Sequence, residues 1–173
     1  MTTKKPYKIL CVCLGNICRS PTAEVVLRHF AQQEQLNVEV DSAGTSNYHP
    51  NKVPDLRSQK HALKRGYDLS TLRARQLQVE DFIDFDLILA MDFENLADIE
   101  LLAKKAKQQF GLDASRAKIG LMSAQDQNYD NQPVPDPYYG GDAGFEAVLD
   151  QCESNSRAWL NYLKPVLQQF NVE

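Results

Sequence analysis

One run of nine residues, Cys13 to Pro21, constrains the fold of this chain more than any other feature. A predicted β-strand, Tyr7–Val12, leads into the run, and a predicted helix, Thr22–Gln33, follows it. A strand, a short loop and a helix N-terminus can together hold an anion, because the first N–H groups of a helix are unpaired and its dipole favours negative charge there. The run therefore predicts a phosphate-binding loop after the first strand.

The side chains in this run suit phosphate chemistry. Cys13 would lie at the floor of the loop, where a positive field favours the thiolate, the nucleophilic form of the side chain. The planar guanidinium of Arg19 can bind two phosphate oxygens at once, which a lysine cannot do. Gly15 allows close approach of the backbone, and Asn16 tolerates a left-handed conformation within the loop.

Two further residues mark the predicted start of the helix. Ser20 can cap the helix and also donate a hydrogen bond to the thiolate. Pro21 suits the first helical position, where its missing N–H would be unpaired anyway. The alternative interpretation is a buried cysteine at a strand end beside an ordinary surface arginine. The combination of these features in one run favours phosphate binding.

The run from Val12 to Pro21 resembles the signature of the low-molecular-weight protein tyrosine phosphatases. Further segments recur in the order and at about the spacing of that family: Asp41–Ser46, Ala74–Leu77, Met91–Asp92 and Asp136–Tyr139. The resemblance covers nearly the whole chain. It implies a four-stranded parallel sheet with helices on both faces, and metal-independent hydrolysis of phosphotyrosine or other aryl phosphate monoesters, with no cofactor.

The resemblance also implies roles for three residues. Cys13 would attack phosphorus and form a cysteinyl-phosphate, while Arg19 and the loop N–H groups would stabilise the charge on the phosphoryl oxygens. Asp136 matches the general acid of the family and would protonate the leaving oxygen. The alternative for Asp136 is an ordinary turn residue, since Asp-Pro is common in turns. An acidic-to-neutral pH optimum follows if Cys13 is ionised while Asp136 is protonated.

The remaining site predictions concern substrate contacts and support of the loop. The predicted substrate or phosphate contacts are Leu14, Gly15, Asn16, Ile17, Cys18, Ser20, Tyr48 and Tyr138. The predicted loop supports, by resemblance, are Asn16, Ser20 and Ser42. Leu72 stands where the family often has a histidine in this network, which places the support of the loop partly in doubt. Tyr138 and Tyr139 have loop packing as their alternative role, and whether either is phosphorylated stays open.

The four cysteines are expected to differ in role. The resemblance suggests that Cys18 forms a reversible, protective disulfide with Cys13; a core-facing cysteine at the helix start is the equal alternative. Cys11 and Cys152 are expected to be buried in the core. The cysteine spacing fits no common zinc pattern, and no Cys/His pair follows it. The single histidines, most simply surface or packing residues, are His29, His49 and His61.

Size and charge narrow the function classes. With 173 residues the chain is long enough for one domain, residues 1–173, and too short for two comfortable ones. The net charge of −4 argues against nucleic acid as a partner. No segment reaches the length of a membrane span and the N-terminus lacks the apolar stretch of a signal peptide, so a cytoplasmic location is expected. The oligomeric state and the physiological substrate stay open.

Strand and helix signals alternate along the chain, which predicts a parallel sheet covered by helices. The predicted strands are Tyr7–Val12, Val38–Ala43, Phe85–Met91 and Lys118–Met122. The predicted helices are Thr22–Gln33, Asp55–Lys64, one between Asp92 and Gly111, and a final one through Phe145 and Phe170 that is kinked or restarted near Pro165. Because ligands bind beyond the carboxyl ends of such strands, Cys13, Asp92 and Asp136 should converge on one crevice.

Two other classes share some of these features. A thioredoxin-coupled arsenate reductase would need further cysteines after the loop, and this chain has none between Cys18 and Cys152. A non-catalytic phosphate- or phosphopeptide-binding module would lack the nucleophile or the acid, and both are present here. Turnover distinguishes the classes, because a binding module shows none and a reductase needs arsenate and a thiol donor.

Overall fold

The computed structural model describes residues 5–138 and 141–171, the last four of these by their backbone alone. The elements in chain order are β1 Tyr7–Cys13, α1 Arg19–Gln33, β2 Val38–Gly44, α2 Leu56–Lys64, α3 Asp81–Asp84, β3 Leu87–Ala90, α4 Phe93–Phe110, β4 Lys118–Leu121 and α5 Asp142–Asn171. Within the described residues the strands form one four-stranded parallel sheet in the order β2-β1-β3-β4. The fold predicted from the alternating pattern is confirmed.

The sheet is covered on both faces because residues of a strand alternate between them. On β1, Ile9 and Cys11 face α1 and α5, where Leu160 belongs to the same core cluster. Leu10 and Val12 face the opposite side and pack in a second cluster that includes Ile99 of α4. Every side chain of β3 is buried, as expected for a central strand of a parallel sheet.

The helix ends follow local capping chemistry. The Asp55 carboxylate accepts hydrogen bonds from the N–H groups of Arg57 and Ser58 at the start of α2. Asp92 caps α4 in the same way, and Gly111 ends that helix at a φ of 90°. The helix predicted between Asp92 and Gly111 is therefore confirmed.

The structure differs from the sequence predictions at three helices. Helix α1 begins at Arg19 rather than Thr22, so Ser20 is not its cap and Pro21 is not its first residue. The Ser20 hydroxyl is instead engaged with the loop that precedes the helix. Helix α5 is continuous through Pro165, so of the two predicted alternatives the restart is wrong, and the kink stays a prediction. The short helix α3 has no counterpart among the predictions, because four residues show no periodicity.

The carboxyl ends of the strands bring separated segments together. The N–H of Thr45, just beyond β2, donates to the Cys13 carbonyl at the end of β1. Beyond β3, Met91 donates its N–H to Val12, and its carbonyl accepts the N–H of Val134 over 2.7 Å. This last bond attaches the segment carrying Asp136 to the edge where β1 ends, as the convergence argument predicts.

Candidate active site

The loop from Cys13 to Arg19, called the phosphate loop below, wraps around the sulfur of Cys13. Cys13 is 3% exposed. The backbone N–H of Asn16 points at Cys13 Sγ over 3.3 Å, and Ser20 Oγ lies 3.0 Å from the same sulfur. Asn16 adopts a φ of 58°, the left-handed conformation that aspartate and asparagine tolerate best among residues with a side chain. One loop N–H and one hydroxyl from the start of α1 therefore lie within hydrogen-bond distance of the sulfur.

Arg19 is fixed beside the sulfur by acidic and carbonyl oxygens. Its Nη1 donates to Asp92 Oδ2 over 2.7 Å and to the Val134 carbonyl over 3.1 Å. Burial lowers the pKa of the guanidinium, but the charges of Cys13 and Asp92 outweigh burial and raise the pKa above its ordinary value. Arg19 is therefore a buried, permanent cation aimed at the place where a phosphate would bind.

Asp136 lies at the rim of the same site. Its Oδ2 is 3.7 Å from Arg19 Nη2, and its side chain is 41% exposed. Its other oxygen accepts the N–H of Tyr138, which closes a tight turn through Pro137. A carboxyl group in this position has access to solvent on one side and to the space above Cys13 on the other.

Between the phosphate loop and the Asp136 segment lies a cavity of about 280 Å³, called the crevice below. It is lined by Cys13, Leu14, Gly15, Ile17, Cys18, Arg19, Tyr48, His49, Asp136 and Tyr138. Nine of the eleven predicted contact and catalytic residues therefore form its wall. Asn16 and Ser20 are not in the wall, because both are buried.

His49 is the crevice residue that the sequence analysis placed elsewhere. It was expected to be a surface or packing histidine, but its ring lines the crevice 6.4 Å from the ring of Tyr138. A Cβ at position 15 would lie 3.1 Å from His49 Cδ2, so the missing side chain of Gly15 makes room for this ring. A lone histidine with no charged partner along the chain gives no sequence signal for such a position.

The supports of the phosphate loop form one hydrogen-bonded group. Asn16 Nδ2 donates to Ser20 Oγ over 2.8 Å and to Ser42 Oγ over 3.0 Å, while its carbonyl accepts the N–H of Arg75 over 3.0 Å. Ser42 in turn donates to the carboxylate of Glu24. Leu72, being aliphatic, joins none of these bonds, and Glu24 is a member that the sequence analysis did not identify.

Arg57 is a second contributor that the sequence did not reveal. Its Nη2 donates to the Tyr138 carbonyl over 2.7 Å, and its guanidinium lies 5.7 Å from the centre of the Tyr138 ring and 4.9 Å from that of Phe145. It therefore joins α2, the segment after Asp136 and the start of α5. Residues 57 and 138 are too far apart in the chain for any spacing pattern to link them.

The remaining cysteines are free thiols in this structure. Cys18 lines the crevice yet is only 5% exposed, and burial raises its pKa to about 12. Cys11 and Cys152 lie fully inside the core, as expected. Tyr139 lies outside the described residues.

His61 packs flat against the Phe145 ring, in agreement with a packing role. Within residues 5–138 and 141–171, no group of three or more His, Cys, Asp or Glu side chains is arranged to hold a metal ion.

Comparisons with known proteins agree on one family. The family model described as low molecular weight phosphotyrosine protein phosphatase matches residues 8–169. The human protein of that name is 41% identical over 165 residues, which cover 92% of this chain and 98% of the human one. A crystal structure of a protein tyrosine phosphatase from Entamoeba histolytica superimposes with a TM-score of 0.82 at 36% identity, covering 92% of this chain and 98% of that one. The Drosophila arginine phosphatase also reaches a TM-score of 0.82, at 31% identity over 91% of this chain and 98% of its own.

Proposed function

Because the chain belongs to the low molecular weight phosphotyrosine protein phosphatase family, we propose that Cys13, Arg19 and Asp136 are its catalytic residues. The protein is a phosphatase that hydrolyses phosphotyrosine monoesters. One observation carries the assignment of roles: the Cys13 sulfur, the Arg19 guanidinium and the Asp136 carboxyl all face one crevice, with the last two 3.7 Å apart.

In the first step the Cys13 thiolate attacks phosphorus. A phosphorus–sulfur bond forms as the phosphorus–oxygen bond to the aryl group breaks, and Asp136 gives its proton to the departing phenol oxygen. Arg19 and the loop N–H groups face the phosphoryl oxygens and stabilise their charge. The Asn16 N–H and the Ser20 hydroxyl lie within hydrogen-bond distance of the Cys13 sulfur, where they can stabilise a thiolate.

In the second step water releases the phosphate. Asp136, now ionised, accepts a proton from the attacking water, the phosphorus–sulfur bond breaks, and the electron pair returns to Cys13 as the thiolate. The exposed rim position of Asp136 supports both roles, since water reaches it as soon as the phenol leaves. The cycle consumes one water and returns both residues to their starting protonation states.

The walls of the crevice favour a flat, aromatic leaving group. Leu14 and Ile17 supply apolar surface, and the rings of Tyr48 and Tyr138 can stack on an aryl group. We propose phosphotyrosine proteins or small aryl phosphates as substrates, without contacts to nucleic acid. Because a Drosophila arginine phosphatase shares the fold, phosphoarginine belongs in the substrate panel beside phosphotyrosine.

Hydrolysis of p-nitrophenyl phosphate with EDTA and a reductant tests the roles. We expect no turnover from Cys13→Ser, and a slowed Asp136→Asn whose defect grows when phenyl phosphate, a poorer leaving group, replaces p-nitrophenyl phosphate. Asp113→Asn, an exposed aspartate far from the crevice, is the matched control and should behave like the wild type. Full activity of Cys13→Ser would overturn the nucleophile, and an equal defect of Asp136→Asn on both substrates would overturn the acid.

Three broader proposals accompany this function. Residues 1–173 form one phosphatase domain, and the protein works in the cytoplasm. The four free cysteines support a reducing location. Cys18, which shares the crevice with Cys13, is proposed to form a reversible disulfide with it. No helix in the described part of the chain is long and apolar enough to cross a membrane. Cell fractionation tests the location, and mass spectrometry after peroxide treatment tests the disulfide.

A further inference from the structure

Helix α2 exposes apolar and basic side chains on the same side. Leu56, Lys60 and Leu63 are four and three residues apart, so they follow one line along the helix. Leu56 is 74% exposed and Leu63 is 63% exposed, and Lys64 is exposed beside them. The opposite side of the helix, which includes His61, packs against α5. The two leucines and two lysines are called the outer face of α2 below.

The charge of this region is opposite in sign to that of the whole chain. Residues 48–64 contain four basic residues and one acidic residue, whereas the chain has 19 basic and 23 acidic residues. The single carboxylate, Asp55, caps α2 and forms an ion pair with Arg57. Lys60 and Lys64 have no carboxylate partner in the described part of the chain. The outer face therefore presents uncompensated positive charge next to exposed apolar surface.

The outer face begins at the rim of the crevice. The N–H of Asp55, the residue before α2, donates to the carbonyl of Ile17, which lines the crevice, over 2.8 Å. In the first turn of α2, Arg57 donates to the carbonyl of Tyr138, another crevice residue. The nine residues of α2 span about 13 Å, the length of about four residues of extended peptide. A peptide with its phosphotyrosine in the crevice can therefore place the adjacent residues along α2.

The chemistry of the outer face favours one kind of partner. A second copy of the chain, docking through the same face, would bring like charges together across a two-fold contact. A membrane is a weaker match, since α2 has only nine residues and carries no tryptophan or phenylalanine. A peptide segment with acidic and apolar side chains matches both properties, because carboxylates pair with the lysines and apolar groups cover the leucines.

We propose that the outer face of α2 binds a short acidic and apolar segment next to the phosphotyrosine of a protein substrate. This inference rests on the proposed function, because it needs a phosphotyrosine in the crevice. The crevice then recognises the phosphorylated side chain, and the outer face recognises the residues beside it. Exposed ion pairs each contribute little, so we expect a preference among substrates rather than tight binding.

Two synthetic phosphotyrosine peptides of equal length provide the test. In the acidic peptide, glutamate and leucine occupy about four positions on each side of the phosphotyrosine, and in the neutral peptide serine and glycine occupy them. The measured quantity is the ratio of kcat/KM for the acidic peptide to kcat/KM for the neutral one, so that changes in the chemical step cancel. We expect a ratio of about ten for the wild type at low salt, and a smaller ratio at high salt because salt screens exposed charges.

Charge reversal separates docking from the effect of net charge. Lys60→Glu/Lys64→Glu should reduce the ratio to one or below, while hydrolysis of p-nitrophenyl phosphate, which has no flanking residues, stays unchanged. Lys104→Glu/Lys107→Glu on α4 changes the net charge equally and should keep the wild-type ratio. Both pairs are exposed and include a cation in the last turn of a helix, so the cost to the helix dipole is matched.

Replacing the leucines tests the apolar part of the outer face. Leu56→Ser/Leu63→Ser should lower the ratio about threefold at low and high salt alike, because apolar contacts are not screened. Unchanged peptide preference in this variant would overturn the apolar contact.

Three further outcomes overturn the inference: a wild-type ratio near one, an equal loss of preference in the two lysine variants, or a contact of another kind. The last is identified if the wild type shows no peptide preference but binds vesicles of phosphatidylcholine and phosphatidylserine, and Leu56→Ser/Leu63→Ser abolishes this binding. In each case continued hydrolysis of p-nitrophenyl phosphate leaves the proposed function intact. A wild type that fails to hydrolyse p-nitrophenyl phosphate would instead remove the proposed function, and the inference with it.

Discussion

Replacing Asn16 by alanine tests how much the buried amide contributes to the phosphate loop. Asn16 is 2% exposed, and its side chain makes three hydrogen bonds, to Ser20, to Ser42 and from the N–H of Arg75. Asn51 provides a control, because it adopts a φ of 60°, close to the 58° of Asn16, but its side chain is exposed. Both substitutions place alanine in a left-handed conformation, and only one removes buried hydrogen bonds.

The two variants should differ by the worth of those bonds. Alanine in the left-handed conformation costs about 1 kcal/mol at either position. Three buried hydrogen bonds at about 1 kcal/mol each add about 3 kcal/mol at position 16 only. We therefore expect Asn51→Ala to lose about 1 kcal/mol of unfolding free energy and Asn16→Ala about 4 kcal/mol, measured by urea unfolding at pH 7. The activity of Asn16→Ala should fall at least tenfold, while Asn51→Ala keeps most of it.

Equal losses of stability in the two variants would refute this reasoning. They would mean that the backbone conformation alone determines the cost and that the amide contributes nothing measurable. An Asn16→Ala protein that is less stable yet fully active would refute a different step, namely that the amide keeps the loop in its catalytic shape.

Three further predictions concern other parts of the site and the core. Arg57→Ala removes the hydrogen bond to the Tyr138 carbonyl, so kcat should fall about fivefold, with little change in KM in steady-state kinetics. Asp92→Asn keeps a helix cap but removes the anion that orients Arg19; inhibition by inorganic phosphate should weaken about tenfold, while urea unfolding changes little. Burial raises the pKa of Cys152 to about 12, so the folded state keeps a proton that the unfolded chain releases above about pH 9. The resulting stability is present below that pH and is lost as the pH rises toward 12, by about 1.4 kcal/mol per pH unit, and Cys152→Ala should show a shallower fall in urea unfolding between pH 8 and 10.

Short-range features of this site and the convergence of Cys13, Asp92 and Asp136 at the strand ends were predictable from the sequence, whereas individual side-chain contacts between distant segments were not. The spacing from Cys13 to Arg19 lies within one loop, and the structure places both residues in the crevice. The predicted cap at Ser20 was wrong because the Ser20 hydroxyl is already in contact with Asn16 and Cys13, and α1 begins one residue earlier, at Arg19. Propensity along the chain cannot show such a competition.

The missed contributors have partners far along the chain. Glu24 on α1 accepts a hydrogen bond from Ser42 on β2, and Arg57 donates one to the carbonyl of Tyr138, which is 81 residues further along the chain. Neither contact therefore belongs to a local sequence motif. His49 enters the crevice because a loop folds back over Gly15. These placements come from tertiary packing, which a sequence pattern does not encode.

The contact of Arg57 with Tyr138 and Phe145 also bears on the order in which the catalytic apparatus is assembled. The phosphate loop and its support by Ser42 need only β1, α1 and β2, which are consecutive in the chain. The position of Asp136 needs α2 and α5 as well, and closing long segments of chain slows folding. During refolding, we expect Cys13 to become enclosed before hydrolysis returns, with an interval between them in which the molecule holds a nucleophile without its acid. Pulsed alkylation of Cys13 alongside recovery of activity would show this interval, and simultaneous recovery would contradict it.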